Sequence, residues 1–266
     1  MSNIRKKGIL TILNVYKRPE TLRMQIEALD AQTVPSDEYW IWYNASDKPK
    51  IDIPLNHPKV KLIDSSSNLK FHGRFAMALL SRYEYVSIMD DDMLPQKKWY
   101  ENCMNSMKRK EGVYTSYGVI LGGTNYTHNK KIGWGQEYPD RSARCGYDPQ
   151  KIQRCDLAGQ NWFFKADWAK YMWYENPYSW DNGEDIHFAY MCQKYGNVNF
   201  YVAPHPTTDL ELWGTTRQFS MKWGTDSNAT YLTFSDHKKI RNEMCEKYIK
   251  DGWKLTLKQP KSEQLI

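Results

Sequence analysis

Residues 8–15, GILTILNV, are almost continuously apolar and rich in β-formers, the pattern of a strand buried on both faces of a parallel sheet. The period then changes. In YKRPETLRMQIEAL, Leu22, Ile26 and Leu29 recur at helical spacing, and Pro19 suits a first helical turn. YWIWYN (39–44) and VKLIDS (60–65) read as second and third strands. FHGRFAMALLSRY (71–83) carries helical periodicity, and YVSIM (85–89) makes a fourth strand. Strand and helix therefore alternate over the first 95 residues, which predicts an α/β fold with a central, mostly parallel sheet flanked by helices.

The second part of the chain is less regular. PQKKWYENCMNSMKRK (95–110) predicts a helix and GVYTSYGVIL (112–121) a strand. Residues 122–150 are rich in Gly, Asn, Tyr and Arg without a period and read as a long functional loop. DLAGQNWFFKADWAKYMW pairs a short apolar strand with a helix from about Ala166. SWDNGEDIHFAYMCQKYG sets Glu184 and Asp185 at a helix start, where the helix dipole favours negative charge. NVNFYVAP predicts a late strand, and the tail from Lys238 a polar helix followed by a loose end. No repeat, low-complexity run or linker interrupts the chain, so the expectation is one domain, 1–266, with functional halves 1–95 and 96–266.

Composition adds modest constraints. Eleven tryptophans and nineteen tyrosines are many for 266 residues; such rings serve sugar-binding surfaces as well as cores. The net charge of +6 suits anionic small ligands or peripheral contact with an acidic membrane surface, and no nucleic-acid partner is expected. Cys103, Cys145, Cys155, Cys192 and Cys245 are odd in number and lack zinc-type spacing, which fits a reducing, cytoplasmic setting. No signal-peptide pattern or membrane span is read. The sequons at Asn44, Asn125 and Asn228 are accordingly taken as chance matches.

The strongest chemical signal is VSIMDDDM (86–93), where a buried strand runs into Asp90, Asp91 and Asp92. Carboxylates this close raise one another's pKa unless water or a cation offsets the charge, and strand carboxyl ends are where open α/β sheets hold ligands. A solvated loop and a divalent-metal site both fit those facts alone. Phosphatases with an acidic pair place it after the first strand, where this chain has Asn14, and no glycine-rich phosphate loop follows that strand.

Taken in order, TILNVYKRPETLRMQIEALDAQT, NLKFHGRFAMAL, VSIMDDDM, GQNWFF and NGEDIHFAY resemble the nucleotide-sugar glycosyltransferases of the GT-A fold. The likeness is to family 2, with exostosin-like features around the acids, and covers about residues 8–210. It implies a (Rossmann-like) GT-A single domain that moves one sugar from a nucleotide sugar, expected to be a UDP-sugar, to a glycan or glycoconjugate acceptor. It also implies Mn²⁺ or Mg²⁺, with Asp92 as direct ligand, Asp90 contacting metal and sugar or ribose, and Asp91 assisting. Leu13, Asn14, Tyr16, Arg18, Asn44, Asn68, Lys70 and Arg74 would border the nucleotide. Asp185 matches the base of inverting relatives, and Glu184 would orient the acceptor. Trp162 and Trp180, with Trp213 behind them, are candidate sugar platforms, and His205 is a candidate third metal ligand. Residues around LWGTTRQFSMKWGT would form a lid, with Arg217 or Lys222 reaching in. Lacking the Q-x-x-R-W pattern of processive synthases, the chain is expected to add one sugar per encounter. A retaining exostosin-like transferase, a phosphoryl-transfer enzyme and a non-catalytic carbohydrate-binding protein are the alternatives.

Overall fold

Strand β1 (Lys6–Val15) pairs on both edges, with β2 (Glu38–Asn44) on one side and β4 (Tyr83–Met89) on the other, all parallel. A computed structural model describes residues 5–45, 54, 56–127, 129–133 and 148–266. β3 (Val60–Ser65) extends the parallel run beyond β2. On the far side of β4 come β10 (Asn161–Lys165), β5 (Val113–Thr115), β11 (Phe200–Val202) and β8 (Gln153–Cys155). The order is β3-β2-β1-β4-β10-β5-β11-β8, with β10 antiparallel to both of its neighbours and β8 antiparallel to β11. This is the mixed but mostly parallel GT-A arrangement.

The period of two along each strand sorts side chains into two cores. Leu10 and Ile12 of β1, Val86 and Ile88 of β4, and Trp162 and Phe164 of β10 face one layer. That layer is closed by α2 (Gly73–Leu79), a 3₁₀ segment (Ala166–Trp173) and α4 (Glu184–Gly196). Ile9, Leu13 and Val15, with Met89 and Phe163, face the other, closed by α1 (Leu22–Asp30) and α3 (Trp99–Arg109). Helices on both faces explain why β1 reads as a nearly unbroken apolar run. Gln32 donates to the carbonyls of Ala28 and Gln96 and accepts from the Tyr100 amide, tying the end of α1 to the segment beyond the aspartates.

Several boundaries differ from the sequence reading. Residues 112–121 form two strands, β5 and β6 (Tyr117–Leu121), because the chain changes sheet at Ser116. β6 lies between β7 (Asn129–Gly133) and β9 (Leu157–Gly159) in a small antiparallel sheet, so part of the expected loop 122–150 is strand. Cys145 and residues 134–147 lie outside the described residues. Beyond Ala166 the helix is 3₁₀ rather than α. The tail is not loose: after α5 (Arg217–Gly224), α6 (Thr230–Thr233) and α7 (His237–Lys250), the last residue exchanges backbone hydrogen bonds of 2.9 and 3.0 Å with Ile152.

Candidate active site

The strand order fixes where a site can form. From β1 the chain steps outward to β2 and β3, then returns to pair β4 on the opposite edge of β1, so the carboxyl ends of β1 and β4 open a crevice between diverging connections. Tyr16 and Arg18 leave β1 there, and Asp90, Asp91 and Asp92 leave β4. The turn is held rigidly. Gln25 on α1 donates to the carbonyls of Asp90 and Met93 at 2.8 Å each, the Asp90 amide donates to the Gln160 carbonyl, and Ser220 on α5 donates to the Asp92 carbonyl.

Each aspartate has a different environment. Asp90 is ion-paired with Arg74, whose other terminal nitrogen donates to Glu184 at 2.8 Å. Asp91 accepts from Arg18 at 2.7 Å, and Arg18 also grips both oxygens of Asp226 at 2.6 and 2.9 Å. Asp92 has one oxygen bonded to Gln160 at 2.8 Å, while its buried Oδ1 has no protein partner. Burial and then the Asp91 charge push Asp92 up to about 7. Asp226 is drawn down to about 2, chiefly by its bonds to Arg18. Gly224 packs against Asp92 so tightly that a Cβ there would sit 2.4 Å from the carboxylate. Neither Arg217 nor Lys222 has a described bond to the aspartates.

An orphaned carboxylate oxygen in a buried acidic turn suits a hard cation. Mg²⁺ is held by one or two carboxylates plus substrate phosphates, and among the described residues no three His, Cys, Asp or Glu side chains converge. Asp92, with its Oδ1 free, fits as a ligand, whereas one oxygen of Asp90 is taken by Arg74. The ring of His205 lies between Trp99 and Trp213, its Nδ1 bonds the Ala203 carbonyl at 2.5 Å, its Nε2 is buried without a hydrogen-bond partner, and burial lowers its pKa to about 4. Among the described residues His205 is not gathered with Asp90 and Asp92 into a three-ligand group.

The two acids of NGED open α4 after Gly183, which has φ +84°. Glu184 turns toward Arg74 and Asp90, and burial, then Asp185, raises its pKa. Asp185 turns the other way, where Arg241 of α7 donates to both its oxygens at 2.9 and 2.6 Å. The raised pKa of Glu184 reflects two neighbouring carboxylates removed from water, each countered by its own guanidinium.

Other expected contacts divide in the same way. Asn44, Asn68 and Lys70 do come together: Asn44 donates to Asn68 and to the Lys70 carbonyl and accepts from the Leu69 amide. Asn14 edges the crevice with a buried, unpartnered Oδ1, and Tyr16 is half-buried beside it. Trp180 is 56% exposed and packs on His72 at 5.1 Å. Trp162 is 1% exposed, so it is no platform; it is core, and carries the Arg74 guanidinium 4.7 Å above its ring. Trp213 is likewise buried, its indole donating to the Pro206 carbonyl. Leu13 is wholly inside the core, with strand partners on both sides. Arg74, expected to border the nucleotide, is 1% exposed and engaged by Asp90 and Glu184. Sequence reasoning missed Asp226, Arg241, Gln160 and Gln25. Gln25 and Gln160 stood inside quoted motifs, Asp226 and Arg241 outside them.

The comparisons agree with this architecture. The sequence model of Glycosyl transferase family 2 matches residues 11–173. No curated protein matches the chain. Among solved structures, the fold is similar to a crystal structure of GalNAc-T7 with UDP, GalNAc and Mn²⁺, with a TM-score of 0.57, 11% identity and 74% of this chain covered. The match spans 42% of that structure's chain, and at such identity it speaks to the fold.

Proposed function

The chain belongs to glycosyl transferase family 2, and on that premise we propose that it transfers one sugar from a UDP-sugar to a hydroxyl of a glycan or glycoconjugate, with inversion and with Mn²⁺ or Mg²⁺. The observation that carries this reading is Asp92, a buried carboxylate with one oxygen left unpartnered at the crevice between β1 and β4. UDP and Mn²⁺ in the similar GalNAc-T7 structure support the choice of nucleotide and metal. Asp92 and Asp90 would hold the cation, which neutralises charge developing on the departing diphosphate. Residues 1–95 would bind the donor, through Asn14, Tyr16, Arg18 and the Asn44–Asn68–Lys70 cluster. Residues 96–266 would present the acceptor beside Trp180.

In this reading the acceptor oxygen attacks the anomeric carbon opposite the diphosphate, its proton passes to Asp185, and the bond to UDP breaks with the electron pair leaving on the diphosphate. One observation favours a second assignment within the same reaction: Glu184 shares Arg74 with Asp90, which directs it toward the donor side, whereas both oxygens of Asp185 already accept from Arg241. Glu184 would then be the base and Asp185 its neighbour in the acceptor wall. The deciding test of the overall reading is a calorimetric titration of UDP with Mn²⁺ and again with chelator. Metal-dependent heat is expected. No heat with UDP or GDP under either condition would overturn it.

A further inference from the structure

Arg241 lies on α7, 68 positions beyond the end of the family match at residue 173, yet its side chain reaches the NGED turn. Its guanidinium edge meets both oxygens of Asp185, its face lies 4.2 Å over the ring of Tyr126, and one terminal nitrogen is 3.4 Å from the Asn182 oxygen. Asn182 is fixed in turn by donating to the His237 carbonyl at 3.2 Å. A planar fork matched to a carboxylate and clamped on an aromatic face has one orientation, and so has the carboxylate it holds. Arg241 and Asp185 are 6% and 7% exposed.

Helix α7 is fastened so that this grip persists. Met244 packs directly against Gly183, where a Cβ would fall 2.3 Å from its sulfur. His187 of α4 bonds the Tyr248 hydroxyl at 2.7 Å, and the Tyr190 hydroxyl donates to the Asp251 carbonyl. An ion pair buried this deeply yields little net stability compared with apolar side chains of equal volume, so fastening two helices does not by itself account for its placement on a site acid.

We propose that Arg241 is a positioning residue for glycosyl transfer: it holds the Asp185 carboxylate in one orientation, so that helix α7 completes the active site. This rests on the reading in which Asp185 takes the acceptor proton. The titratable groups around Asp185 are Arg241, His237 and Cys245 on α7, Tyr126 after β6, and Glu184 on its own helix. His237 is lowered to about 4 by burial and then Arg241, while Tyr126 and Cys245 are raised by burial, leaving Arg241 as the one among them that is cationic at neutral pH.

The test measures kcat against pH for Arg241→Gln, Arg241→Lys and Asp185→Asn, with thermal melts to establish folding and the donor KM as control. Arg241→Gln takes away the cation that faces the carboxylate, so the acidic limb of kcat moves to higher pH. Its kcat at neutral pH falls by about tenfold or more while the donor KM stays within about twofold. Arg241→Lys, with one point of contact instead of two, falls between. A merely structural tie would lower the melting temperature without displacing the limb. A folded Arg241→Gln with wild-type kcat and limb overturns the proposal; should that variant not fold, wild-type kcat in Arg241→Lys overturns it. An active Asp185→Asn beside a slow Arg241→Gln refutes the base assignment itself, and with it any action of Arg241 through Asp185.

Discussion

Replacing Arg74 with methionine tests the electrostatic frame of the site. Methionine keeps an unbranched apolar stem against Trp162 and Phe75 but removes the one cation shared by Asp90 and Glu184. The side chains of Arg74, Asp90 and Glu184 are 2%, 24% and 8% exposed, so solvent screens the Asp90 contact in part and the Glu184 contact hardly at all. Breaking a buried pair by removing one partner costs about 3–5 kcal/mol. Loss of the guanidinium over Trp162 adds about 1 kcal/mol. At about 2–4 °C per kcal/mol for a chain of this size, the melting temperature at pH 7.5 should fall by about 10 °C or more. The sign of the pH dependence follows from Glu184, whose folded pKa is already raised by burial and by Asp185. Without Arg74 it rises further. A carboxylate with a raised folded pKa destabilises the protein above that value and costs nothing below its unfolded pKa of about 4.3, where both states hold the proton. The deficit relative to wild type should therefore be largest at pH 7.5 and shrink toward pH 4. Thermal melts of both proteins at the two pH values decide it. An equal deficit at both, or one under about 2 °C at pH 7.5, would refute the reasoning.

Asp92→Asn should abolish the metal-dependent part of UDP binding in calorimetry, because the amide offers the cation no charge; undiminished binding would remove Asp92 from the metal site. Asp185→Asn and Glu184→Gln separate the two base assignments: the true base variant should lose kcat by about 10²-fold or more with donor affinity retained, and the other should keep most of its turnover. Gly183→Ala should destabilise the fold by at least about 2 kcal/mol, since an L side chain pays for φ +84° and the new methyl meets Met244. Adding Met244→Ala should relieve the clash but not the backbone strain, which denaturant titration of the single and double variants reads directly.

Much of the fold was legible because it is written in local periodicity. The apolar run of β1, the helical spacing of Leu22, Ile26 and Leu29, and the strand ending at Asp90 each follow from neighbours along the chain, and the structure reproduces all three. The acids at the start of α4 were legible for the same reason. The split at Ser116 and the pinned tail were not, since each depends on which distant strand offers a free edge. Side-chain partners were the least legible. Nothing in the spacing of Arg18 announces a bond to Asp226, 208 residues away, or directs Arg74 onto Glu184, 110 residues away. Trp162 and Trp180 have the same chemistry, yet one is enclosed beneath Arg74 and the other stands open beside His72. By itself the sequence determined which segments become strands and helices and where carboxylates gather, because backbone preference and hydrophobic period act over a few residues. Only the tertiary structure decided which guanidinium neutralises which carboxylate and which oxygen of Asp92 is left unpartnered, because Coulomb attraction and desolvation depend on distances that exist once remote segments have packed.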